Sequence, residues 1–123
     1  MAEKQIIPIY ATSGEWSALL VDRYLYNTRG EWIGWLEDKD VYTRDGEYAG
    51  YLSNDQRILR KRVKEHQPLH PPPSPLPPAR IRPPASVPLP PLFAELRWEI
   101  VDVFEEEPEI FERVSEFKPD WEG

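Results

Sequence analysis

The stretch YATSGEWSALLVDRYL (residues 10–25), followed by YNTRGEWIGWLEDKDV (26–41) and YTRDGEYAGYLSNDQR (42–57), decides the fold. Set beneath one another, the three copies match at a period of 16 residues. Tyr10, Tyr26 and Tyr42 head them, and Gly14, Gly30 and Gly46 follow, each trailed by Glu15, Glu31 or Glu47. Next come Trp16, Trp32 and Tyr48, the small residues Ala18, Gly34 and Gly50, then Leu20, Leu36 and Leu52, and finally Asp22, Asp38 and Asn54. Each copy reads as two short strands joined at a glycine, where a hairpin turn needs positive φ. The arms are rich in Tyr, Trp, Ile, Val and Thr, as strands are. Strand alternation would put Trp16, Ala18 and Leu20 on one face, with Trp32, Gly34, Leu36 and Tyr48, Gly50, Leu52 repeating it. A small residue between an aromatic and a leucine implies that neighbouring units approach closely there and leave no room for a bigger side chain, which replacing Gly34 with Val would test.

One hairpin is marginal in water, so the copies must share a core. The links Asp22-Arg23 and Asp38-Lys39-Asp40 are short, which favours consecutive antiparallel pairing around a closed or nearly closed sheet. A fourth copy starts with Ile58 in the tyrosine column and fails at Arg62, where the turn glycine belongs. The predicted fold is therefore all-β: 16-residue hairpin repeats in a shallow barrel over residues 1–64, with units at 10–25, 26–41 and 42–57 and a partial unit at 58–64.

Outside the repeats the composition changes. Of 15 prolines, 12 fall between Pro68 and Pro91, which rules out an ordinary helix or central strand there and favours extended polyproline II. Residues 65–92 are expected to be a strap across the repeat domain or a free linker. Within them Pro75, Pro78 and Arg80 match the P-x-x-P-x-R pattern that SH3-type grooves read, a candidate partner-binding motif. Residues 93–123 form an acidic tail in which Leu92, Leu96, Ile100, Val103 and Phe104 fit a helical stripe. A second short helix would open at Pro108 and carry Ile110, Phe111, Val114 and Phe117. A strand through Trp98 to Val103 is the alternative, and it would complete the broken fourth unit.

Net charge is −7, unevenly spread: residues 1–56 carry −5, 57–92 carry +6 and 93–123 carry −8. The basic run supplies Arg57, Arg60, Arg62 and Lys64 as candidate anion-binding residues, for a lipid head group or nucleic acid, with a charged edge strand as the plainer explanation. There is no cysteine, so disulfides, thiolate chemistry and cysteine zinc sites are excluded. Met1 to Gln5 lacks a basic start followed by an apolar run, and a cytoplasmic location is expected. His66 and His70, flanking the proline segment, read as exposed linker residues, and no catalytic constellation or cofactor motif is found. Glu15, Glu31 and Glu47 would form a symmetric cation site if the units surrounded an axis; a solvated residue after a turn glycine is the simpler reading.

The Tyr-x-x-x-Gly-Glu-aromatic-x-small-x-Leu columns, over residues 6–62, resemble the β-flower proteins of the four-fold type. That resemblance implies short hairpin repeats in a shallow symmetric barrel with petals, similar to the barrel of tubby-type lipid-binding domains, and it implies no established activity. This chain departs from four-fold symmetry in having three copies and a half. The resulting expectation is a non-enzymatic binding or scaffolding protein. An unknown protein partner would meet the proline-rich segment, the acidic tail and the aromatic repeat surface.

Overall fold

The computed structural model describes residues 5–64 and 67–112. Eight antiparallel strands form one sheet in chain order: β1 (Ile6–Tyr10), β2 (Trp16–Val21), β3 (Tyr24–Asn27), β4 (Trp32–Glu37), β5 (Asp40–Thr43), β6 (Tyr48–Leu52), β7 (Ile58–Lys61) and β8 (Ile100–Asp102). The sheet curls into a half-barrel. The repeat is visible in its turns, since the amides of Ala11, Asn27 and Thr43 donate to the carbonyls of Glu15, Glu31 and Glu47. The amides of Gly14, Gly30 and Gly46 donate back to residues 11, 27 and 43, and these glycines hold φ of 93°, 85° and 90°. Between copies, Asp22 and Asp38 make the tight turns at φ 58° and 56°, a conformation short polar side chains tolerate best after glycine.

The fourth copy is not where column-matching puts it. Ser53 to Arg57 repeats the glycine-turn bonds, Ser53 amide to Arg57 carbonyl and Gln56 amide to Ser53 carbonyl, with Gln56 at φ 63° in the glycine's place. This wider turn replaces a tight one, and pairing slips by one residue: Tyr51 faces Leu59 and Leu52 faces Ile58. Ile58 therefore leaves the tyrosine column and joins Ile9, Leu25 and Val41 in the core.

A second correction concerns the faces. Each glycine hairpin carries a register shift next to its tyrosine, so Tyr10 pairs with Trp16 while Ile9 pairs with Ala18, and Tyr26 pairs with Trp32 while Leu25 pairs with Gly34. Tyr42 with Tyr48 repeats the pattern. The extra residue reverses the alternation. Ala18, Leu20, Ile33, Leu36 and Ala49 thus face one core, whereas Trp16 and Trp32 cross to the other side of the sheet, beside Leu19, Val21, Tyr24 and Tyr26. Each tryptophan is pinned by its indole N–H, Trp16 to the carbonyl of Ala18 at 2.9 Å and Trp32 to that of Gly34 at 2.6 Å. The close approach expected at Gly34 is present: a Cβ there would lie 2.2 Å from the carbonyl oxygen of Tyr42.

The sheet does not stop at residue 64. β8 pairs with β7, Leu59 opposite Asp102 and Lys61 opposite Ile100, so the strand reading of the tail holds for three residues and the helical stripe from Leu92 does not form. A short helix, α1 (Val103–Glu106), follows, capped by Asp102, whose carboxylate accepts from the amide of Phe104 at 3.0 Å. The same carboxylate takes the Thr12 amide at 2.6 Å, tying the last strand to the first turn. Pro108–Phe111 forms a 3-10 turn rather than an α-helix, and Ile110 and Phe111 close the core; Val114 and Phe117 lie outside the described residues.

The proline segment crosses the tyrosine side of the sheet. The Tyr24 and Tyr26 hydroxyls donate to the carbonyls of Pro75 (2.6 Å) and Pro78 (3.0 Å), and the Tyr10 hydroxyl donates to that of Pro88. Burial raises the pKa of the Tyr10 and Tyr26 phenols, keeping them protonated as donors. The segment also docks on the turns: the His70 amide bonds the Gly46 carbonyl, the Ile81 amide bonds the Gly30 carbonyl, and Arg80 bridges to Glu31. From Ile81 onward its burial repeats every third residue, with Ile81, Pro84, Val87, Pro90, Phe93 and Leu96 each partly covered. Three residues per turn is the period of polyproline II, so one edge of that helix lies against the domain.

Candidate functional site

The sequence offered two candidate binding segments, and the structure uses much of both internally. Pro75 and Pro78 give their carbonyls to tyrosines of the sheet, and Arg80 lies 3.2 Å from Glu31. Hydrogen bonds from Asn27 and Arg29, with the charges of Arg29 and Arg80 beside it, hold the Glu31 carboxyl below its ordinary range.

The four candidate anion-binding residues are likewise separated. Arg57 is buried and forked onto Asp55, Nε to Oδ1 at 3.0 Å and Nη2 to Oδ2 at 2.7 Å. It also reaches Thr12 Oγ1 at 3.1 Å and the carbonyl of Ala94 at 2.9 Å, while the Phe93 ring lies 4.7 Å from its guanidinium. Arg62 lies over Trp98 at 4.8 Å. Arg60 and Lys64 share the Glu107 carboxylate, at 3.5 Å and 2.6 Å.

Burial opposes ionisation of Asp55, but the hydrogen bonds from Arg57, Ser53 and the Ala94 amide outweigh it and hold the carboxyl at about 2, against an ordinary 3.8. A carboxyl depressed in the folded state contributes stability that is complete above the unfolded value and lost as pH falls from about 4 through about 2. The expected loss is about 2 kcal/mol. Urea titrations at pH 6 and pH 2 should show it in the native chain and show a smaller pH dependence in Asp55→Asn.

What remains of the basic run borders a cleft of about 480 Å³ beside β6 and β7. Arg60, Lys61 and Lys64 supply its positive groups, and Tyr48, Tyr51, Val63, Leu69 and Ile110 supply its apolar wall. Gln67 and Glu47 complete the rim. The Nε of Arg60 is buried without a hydrogen-bond partner among the described residues, an uncommon expense for a guanidinium. The basic run 57–64 read from the sequence contains Arg60, Lys61 and Lys64, but Tyr51, Gln67 and Leu69 were missed. Tyr51 and Lys61 come together through the pairing of β6 with β7, while Gln67 and Leu69 arrive from the proline segment. The one readable signal was the period-two spacing of Arg60 and Arg62, and it pointed to the wrong pair of neighbours.

The repeated glutamates do not converge. Glu47 lines this cleft, Glu15 lines a separate cavity of about 360 Å³ with Trp16 and Phe104, and Glu31 is held by Asn27, Arg29 and Arg80. Among the described residues no group of three His, Cys, Asp or Glu has the arrangement of a metal site. His66 lies outside the described residues, whereas His70 is half-buried against the Tyr42 ring, 4.6 Å away, and so is a packed residue of the strap. Among the described residues no helix is long and apolar enough to cross a membrane.

A curled antiparallel sheet built from petal-like hairpins, strapped by a polyproline segment, defines a small all-β repeat protein. The chain belongs to the 4-fold beta flower proteins, whose family model matches residues 2–99. That match spans both the repeats and the strap. No curated protein and no solved structure matches the chain.

Proposed function

We propose that this is a non-enzymatic binding protein whose site is the cleft beside β6 and β7, and that the ligand is a small organic anion with an apolar body. The observation that carries this reading is the meeting of Arg60, Lys61 and Lys64 with the rings of Tyr48 and Tyr51 around about 480 Å³, the size and mixed character of a small-molecule site. Glu107 neutralises part of this charge, which suits a ligand with a single negative group better than a polyphosphate or nucleic acid. Among the described residues the cleft is lined by cations, rings and aliphatic side chains with Glu47 and Gln67 at the rim, which supports recognition of an anion with an apolar body.

The test is a titration of the full chain with 8-anilinonaphthalene-1-sulfonate and with decanoate, followed by amide NMR. Shifts should centre on Tyr48, Tyr51, Lys61 and Leu69, and Tyr51→Ala with Lys64→Ala should weaken binding about tenfold or more. Shifts centred elsewhere, or binding indifferent to both substitutions, would remove the cleft from consideration.

A further inference from the structure

The three-residue burial period of the strap also determines what it shows to solvent. One step back from the covered edge of Ile81, Pro84, Val87, Pro90, Phe93 and Leu96 lies another edge, carrying Leu89, Leu92 and Glu95, and Trp98 follows in the turn that leads into β8. Leu89, Leu92 and Trp98 are 91%, 98% and 72% exposed. In the adjacent column, Pro88 and Pro91 are exposed as well. An extended chain with three residues per turn repeats an edge about every 9 Å, so Leu89 and Leu92 project in parallel. Large apolar side chains so exposed, on a segment whose other edge is anchored, form a surface that the described residues leave uncovered.

We infer that this edge, Pro88 to Leu92, is a docking surface for a second protein that presents an aromatic-lined groove, the chemistry that reads polyproline II. The ridge is already ordered. The Pro88 carbonyl is held by Tyr10, Pro90 packs at Gly14, the Phe93 ring lies beside Arg57, and the Ala94 amide donates to Asp55 at 3.1 Å. A partner would therefore spend little on ordering it. Alternating leucine and proline ridges fit the successive pockets of such a groove. Exposed charges of both signs border the end of the ridge, Glu95, Arg97 and Glu99 along the chain and Arg62 over the Trp98 ring. The P-x-x-P-x-R match at Pro75 to Arg80 is not this surface, because its carbonyls and its arginine are engaged with Tyr24, Tyr26 and Glu31.

The experiment uses the full chain against an array of purified SH3 and WW domains, with phosphatidylcholine–phosphatidylserine vesicles as a second arm. The expected result is binding by one or more domains that falls about tenfold or more in Leu89→Glu with Leu92→Glu. That binding should be unchanged by Lys64→Ala, which separates it from the cleft. Both leucines lie in solvent, so the double variant should melt with the native chain, and a thermal scan checks this. No binding by any domain, binding indifferent to the two leucines, or leucine-dependent binding to the vesicles alone would overturn the inference.

Discussion

Gly30→Ala is expected to destabilise the protein by roughly 3–4 kcal/mol, while Gly14→Ala, at the same place in the repeat, costs only about 1–2. Both glycines hold φ near 90°, so both substitutions incur the penalty of an L side chain in the left-handed region. They differ in what lies outside. A Cβ on Gly30 would fall 2.0 Å from the carbonyl oxygen of Ile81, in the backbone of the strap, whereas on Gly14 the nearest atom is Pro90 Cγ at 3.7 Å. Gly30→Ala must therefore push the strap away and break the Ile81 amide bond to residue 30. Urea denaturation measures the difference, and trypsin cleavage after Arg80 should accelerate in the Gly30 variant alone. Equal losses at the two positions would mean that the strap does not press on the turns.

Arg57→Ala should cost about 3–5 kcal/mol, the usual result of removing one partner of a buried ion pair. The guanidinium is 1% exposed and makes bonds to Asp55, Thr12 and Ala94 that nothing nearby can replace. These join the fourth turn to the first turn and to the end of the strap, so the loss should appear as one cooperative drop in the thermal melt. Arg57→Lys should rescue little of it, because an ammonium group cannot make the planar fork onto Asp55. A variant within about 1 kcal/mol of native would show that this cluster is incidental to the fold.

The repeat was legible because its decisive residues act locally. A glycine at positive φ and an aspartate in a tight turn need no information from elsewhere in the chain, and Gly14, Gly30, Gly46, Asp22 and Asp38 are where the columns put them. Leu20 and Leu36 are buried for the same reason, through alternation within one arm. The position of Trp16 was not legible: a bulge adds one residue to the pairing without changing the 16-residue spacing, so the sequence period looks intact while the face reverses. The slip at Ile58 has the same character, since Gln56 takes a glycine's conformation without being a glycine.

The proline segment hid its path because polyproline II satisfies few of its own backbone groups and is compatible with either a strap or a linker. A readable signal existed in Ile81, Pro84, Val87, Pro90, Phe93 and Leu96, a period of three that the helix and strand templates pass over. The basic run was misread as one strip because β7 ends at Lys61: Arg57 turns inward before the strand, and Arg62 leaves toward Trp98 after it. Charge alone could not reveal that Glu107, 43 residues beyond Lys64, would meet two of the bases.

The central claim is that strap and tail complete the β-flower sheet rather than follow it. It is tested most directly by comparing residues 1–66 with the whole chain by amide NMR dispersion and thermal melting. A 66-residue piece lacking β8, α1 and the cover over Tyr10, Tyr26 and Trp32 has too little core to fold alone. It should show collapsed dispersion and no cooperative melt. A piece as well dispersed and as stable as the full chain would contradict the account, leaving the strap as an ornament on a domain that needs nothing beyond its repeats.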